Sequence, residues 1–176
     1  IHPQSVCRLV RLHGTRHVIE IVRELIEREA GLLDDRHYEE WLAMFTPDCL
    51  YWVPVSPDMA SPREGPSHFR DDRQIMAVRT HRLANPRAFG AEPSPRTVHV
   101  ISGIRIERED ADEVVAVSSQ IMLEYRNRDR FEDDQRLFGG RVRHRFRRTG
   151  GSLLIAEKRV DLINANAAFN AMAAPL

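Results

Sequence analysis

Lysine is almost missing from this chain. Lys158 is the only one among 176 residues, and every other basic residue is arginine. Arginine suits forked, partly buried ion pairs, and a GC-rich genome would produce the same bias with no physical meaning. Cysteine is nearly absent too. Cys7 and Cys49 stand far apart, with no C-x-x-C, which argues against a disulfide framework and fits a reducing cytoplasm. No apolar run reaches transmembrane length and no signal peptide is visible, which argues against a membrane role. The numbering starts at Ile1 rather than Met, so a short leader is expected to precede it. Net charge is also missing: 26 basic residues balance 26 acidic ones. A nucleic-acid binder usually carries an uncompensated basic face, so that class is disfavoured.

Motifs are absent as well. There is no Walker loop, G-x-G-x-x-G or G-x-S-x-G. Gly139-Gly140 and Gly150-Gly151 read as turn glycines at strand ends. An iron–sulfur centre needs clustered thiolates or imidazoles, which two distant cysteines cannot supply. His13 and His17 are four apart, but Gly14 follows His13, so the zincin H-E-x-x-H is not formed. No His–carboxylate set shows close spacing, although a non-haem iron triad can be assembled from distant positions.

The length and the 42% hydrophobic content predict a single domain over 1–176 with a sizeable core, an N-terminal arm over 1–14 and a C-terminal tail over 165–176. Val18, Ile19, Val22, Leu25 and Ile26 predict a helix over 16–30, capped by Thr15 and stopped by Gly31. Asp34 or Asp35 is expected to cap a second helix, "DRHYEEWLAMF". Its stripe is Tyr38, Trp41, Leu42 and Phe45, and Pro47 ends it. "CLYWVPV", 49–55, reads as a strand that Pro54 pushes to a sheet edge. A loop over 56–66 precedes a third helix over 67–84, amphipathic through Phe69, Met76 and Leu83, and a second loop over 86–96 follows. Four strands, 97–107, 113–126, 137–148 and 152–164, then predict an antiparallel meander. Helices first and strands later is an α+β order.

The most unusual stretch is "RVRHRFRR", 141–148. On a strand, period two puts Val142, His144 and Phe146 on one face and Arg141, Arg143, Arg145 and Arg147 on the other. The arginine face needs acidic partners. Glu124 or Glu157 on the flanking strands would supply them within one sheet. A neighbouring copy would supply them at a subunit interface, with 107–113 and 129–134 as candidate acceptors. His99 and His144 alternate with apolar neighbours on predicted strands. With Tyr38 they are candidate polar groups for an interior cavity.

The ordered set "EAGLLDDRHYEEWLAMFTPDCLYWVPV", "DDRQIMAVRTHRL" and "PSPRTVHVISGIRI" resembles the small (β) subunit of aromatic-ring-hydroxylating, Rieske-type dioxygenases over about 16–165. The tail "AMAAPL" departs from the longer endings of the naphthalene and biphenyl branches. The resemblance implies a cystatin-like, nuclear-transport-factor-2-like cone, with N-terminal helices packed on a curved antiparallel sheet. It implies a non-catalytic, structural subunit that supports a large iron-containing partner in aromatic compound catabolism. That partner would hold a Rieske [2Fe–2S] cluster and a mononuclear iron, this chain would hold neither, and the assembly would be α3β3 around a self-associated trimer. The alternative is a stand-alone lyase or isomerase of the same fold. In the isomerases an aspartate precedes a proline in the strand after helix two. Here Val53 precedes Pro54, which disfavours that mechanism.

Overall fold

The structure is a computed structural model. It describes residues 17–85, 95–129, 132–167, 172 and 174–176, with side chains of 127–134 outside the description. Helix α1 spans Val18–Asp34 and buries Val22, Leu25, Ile26, Glu29 and Leu33 along one stripe. Gly31 does not stop it. The helix runs on to Asp34, and the reversal comes at Arg36, in the left-handed region with φ 60°. The expected cap Thr15 lies outside the described residues, as does the expected arm.

Helix α2 is only Tyr38–Ala43, preceded by His37 rather than capped by an aspartate. Strand β1, Phe45–Pro54, starts four residues earlier than expected and contains Pro47. Its position is interior, not at an edge. The edge is β2, Ser67–Asp72, a strand that the helical reading of 67–84 missed. Phe69 therefore packs from a strand. Helix α3 is confined to Arg73–Ala84, where Asp72 Oδ1 accepts from the amides of Gln74 and Ile75 at 2.9 Å each.

The meander follows as β3 (Arg96–Glu109), β4 (Glu113–Asp129), β5 (Glu132–Thr149) and β6 (Ser152–Leu162). Gly150 and Gly151, both at positive φ, make the two-residue turn between β5 and β6. The six-stranded order is β2-β1-β6-β5-β4-β3. One pairing was not foreseen: β1 lies parallel to β6, with Tyr51 opposite Lys158.

The sheet wraps the helices on its inner face. Val142, His144 and Phe146 of β5 point there and are buried, as the alternation required. So do Val114, Ala116 and Met122 of β4 and Val160 of β6, which join α1, Tyr38 and Trp41 in one core.

Candidate functional site

The inner face carries charge as well as carbon. Glu29 of α1 is 2% exposed. Its Oε1 accepts from Trp41 Nε1 and Lys158 Nζ, each at 3.0 Å, and its Oε2 from His144 Nε2 at 2.8 Å. Burial pushes its pKa up, but the Lys158 and His144 charges and the hydrogen bonds outweigh this and hold it well below the usual carboxylate range. The carboxylate can only accept, so His144 donates through Nε2. Its Nδ1 is buried with no partner among the described residues. The lone lysine of the sequence is thus fully interior, one wall of a buried ion cluster.

A second cluster lies one turn further along α1. Asp34 Oδ1 accepts from His99 Nδ1 at 2.6 Å and Thr97 Oγ1 at 2.9 Å, while Oδ2 accepts from the His99 amide at 2.9 Å. Burial raises the Asp34 pKa, and the bonds from His99 and Thr97 bring it below its ordinary value. His99 Nε2 is left buried and without a partner among the described residues.

The three interior residues singled out from the sequence do not converge. His99 pairs across with Met122 and His144 with Ala116. Six residues of β4 separate these positions, roughly 20 Å at the rise of a strand. Tyr38 is buried, and burial raises its phenol pKa. Glu29, the hub, was missed. Its signal was its place on the Val22, Leu25, Ile26 and Leu33 stripe.

The outer face divides in two. On one half the arginine row meets carboxylates of its own chain. Arg143 bonds Glu107 at 2.8 Å, Arg147 bonds Asp48 at 2.8 Å, and Arg145 bridges Glu113 at 2.7 Å and Glu157 at 3.2 Å. Arg148 adds Glu109 at 2.7 Å. Glu124, an expected partner of the row, is instead on the inner face and pairs with Arg136. Side chains of 129–134 lie outside the description. Arg141, opposite Ser119 and Asp161, is exposed.

The other half is apolar. Val98 and Val100 of β3 stand opposite Leu123 and Ile121 of β4, and Leu123 stands opposite Leu137 of β5. These five are 37–67% exposed. Gly139 leaves a bare position where Ile121 and Ile163 approach, and Ile163 is 87% exposed. Single exposed aliphatics are ordinary, whereas this group is register-aligned across three strands and forms a continuous apolar patch.

A family model described as ring hydroxylating beta subunit matches residues 28–167. The chain belongs to that family. The small oxygenase component of the p-cumate 2,3-dioxygenase system of Pseudomonas putida is 36% identical over 143 residues, 80% of this chain and 77% of that protein. The beta subunit of benzene 1,2-dioxygenase, also from Pseudomonas putida, is 30% identical over 131 residues, 70% and 68% of the two chains. The solved beta subunit of benzoate 1,2-dioxygenase from Burkholderia mallei superposes with a TM-score of 0.69 at 25% identity, covering 86% of this chain and 93% of that one. A protein assigned as a scytalone dehydratase from Novosphingobium aromaticivorans shares the fold at a TM-score of 0.60 and 16% identity, covering 82% and 83%. The chain is therefore a beta subunit of a ring-hydroxylating dioxygenase, an oxidoreductase, on an α+β fold of the cystatin-like type.

The iron groups implied by this family find no fitting set of ligands among the described residues of this beta subunit. Cys49 is buried with its sulfur 3.8 Å from Met76 Sδ. His99 and His144 are each committed to a carboxylate. Among the described residues no three His, Cys, Asp or Glu side chains converge to hold a metal ion, and no helix is long and apolar enough to cross a membrane.

Proposed function

We propose that this beta subunit is a non-catalytic scaffold of the terminal oxygenase. It would self-associate as a trimer and hold large subunits that carry the Rieske cluster and the mononuclear iron in an α3β3 assembly. The observation that supports this best is the outer apolar face. Val98, Val100, Ile121, Leu123 and Leu137 would lose water against a neighbouring copy, at roughly 25 cal/mol for each Å² of apolar area buried. The interior gives complementary support. The Glu29 and Asp34 carboxylates are already satisfied by Trp41, Lys158, His144, His99 and Thr97, which suits a structural core better than a reaction site.

The arginine row enters this reading in an altered role. Arg143, Arg145 and Arg147 are neutralised within the chain, so they would present a neighbour with a balanced ionic lattice. Arg141, beside the apolar patch, is the member best placed to reach a carboxylate of another copy. The cytoplasm is the proposed compartment, in keeping with the unpaired, buried Cys49.

A second reading, a lyase or isomerase working inside the cone, draws on His99, whose oriented ring leaves Nε2 buried and unpartnered. Co-expression with the large subunit distinguishes the two. The scaffold reading expects a hexamer with aromatic oxidation, broken by Leu137→Glu and largely indifferent to His99→Gln. A complex that keeps its size in Leu137→Glu, or loses turnover at least a hundredfold in an intact His99→Gln hexamer with normal iron, would reverse it.

A further inference from the structure

The segment 174–176 is not draped over the surface. Ala174 is 3% exposed and Leu176 1%. The Leu176 amide donates to the Tyr51 hydroxyl at 2.9 Å, and the Ala174 amide donates to Glu124 Oε2 at 3.4 Å. Tyr51 comes from β1 and Glu124 from β4, with β6 and β5 between them in the sheet. Both side chains are 1% exposed and point to the inner face. The segment thus lies in the concave interior, with its two amide donors taken by buried side chains from β1 and β4. Leu176 itself joins the hydrophobic core.

The place that Leu176 takes in this core has the chemistry of a ligand subsite. Tyr51 presents its hydroxyl as an acceptor at the end of an aromatic wall, where its ring stands 5.3 Å from Phe69 and 6.1 Å, edge-on, from Trp41. Apolar walls with a few placed polar groups are the usual make-up of a small-molecule pocket. The donor that Tyr51 receives comes from the chain itself.

We propose that residues 174–176 act as an internal ligand. They occupy the interior of the cone, and displacing Leu176 uncovers a binding site for a small aromatic molecule whose O–H or N–H donates to Tyr51. The device would remove a cavity while keeping the cone, and it stands independently of the trimer reading.

The test uses the full chain with phenol as the probe. In the wild type, the Leu176 amide should exchange with solvent at least a hundredfold more slowly than in an open chain, and calorimetry should show no saturable phenol binding. Tyr51→Phe should raise exchange at Leu176 at least tenfold and leave the β4 amides unchanged. Leu176→Ala should bind phenol one to one, and the double variant with Tyr51→Phe should bind at least tenfold more weakly. Open-chain exchange at Leu176 in the wild type overturns the proposal. So does a folded Leu176→Ala that ignores phenol, or one whose phenol binding is indifferent to Tyr51→Phe. If Leu176→Ala does not fold, the exchange rates of wild type and Tyr51→Phe decide alone.

Discussion

Lys158→Met is the sharpest perturbation of the buried cluster. Methionine approximates the length of the lysine stem and keeps the packing, so the change removes chiefly one ammonium. Glu29 then retains Trp41 and His144 but loses the cation 3.0 Å from Oε1, in a site 2% exposed. Breaking one side of a buried pair costs about 3–5 kcal/mol, because the other charge stays buried. For a chain of 150–250 residues each kcal/mol moves Tm by about 2–4 °C, so a fall of roughly 6–20 °C is expected. Glu29→Gln should cost a similar amount by stranding Lys158. The double variant should be more stable than the sum of the singles predicts, by at least about 1 kcal/mol, since the two groups share one interaction. Acid adds an independent check. Glu29 has a folded pKa far below its unfolded value. Its contribution is present in full above the unfolded carboxylate range and is lost as pH falls from about 5. Urea titrations at pH 7 and pH 4 should show that loss in the wild type and a smaller one in Glu29→Gln. A Lys158→Met cost below about 1 kcal/mol, or strict additivity of the double variant, would refute the cluster as a stabilising unit.

Three further outcomes follow from local geometry. A Cβ on Gly140 would sit 2.3 Å from the Asp161 carbonyl oxygen, so Gly140→Ala should destabilise by about 1–3 kcal/mol, whereas Gly139→Ala, with nothing nearer than 4.0 Å, should be silent in the monomer's thermal melt. Asp72→Ala removes the acceptor for two amides that open α3, and chemical denaturation should register about 1 kcal/mol. Arg145→Glu sets a carboxylate between Glu113 and Glu157, so its melt should fall by more than that of Arg143→Glu, whose partner Glu107 is half exposed, and added salt should narrow the gap.

Period-two alternation was enough to place Val142, His144 and Phe146 inside and the arginines outside, because a strand has only two faces. The meander was legible for the same reason. Strand β2 was not. Phe69, Met76 and Leu83 recur every seven residues and mimic a helix, while the strand exists because Trp52 and Val53 of β1 pair with Arg70 and Phe69. That pairing is tertiary, and no local pattern encodes it. Pro47 misled for a related reason: it stops a helix, but a strand tolerates it where no ladder bond is required. Lys158 stood out as the only lysine, yet its meaning depended on Glu29, 129 residues away. The arginine row needs carboxylates on its own face, and Arg143, Arg145 and Arg147 find them within the chain. Whether the sheet's own residues would suffice depended on register, which set Glu157 directly opposite Arg145 and Glu113 diagonally across from it, opposite Arg147.

The parallel pairing of β1 with β6 also sets the order of events during synthesis. Residues 45–54 leave the ribosome early, yet their neighbour in the sheet is the strand 152–162. Until then β1 has only the short β2 to pair with, and the Glu29 carboxylate lacks both His144 and Lys158. The nascent amino-terminal half therefore cannot close its core, and apolar surface around Tyr51 and Val53 stays uncovered while about a hundred more residues are added. Long-range closure of this kind places folding in the slower, millisecond-to-second regime. Uncovered apolar surface and an unpaired strand edge are what make a half-made chain prone to aggregate until the carboxy-terminal strand arrives.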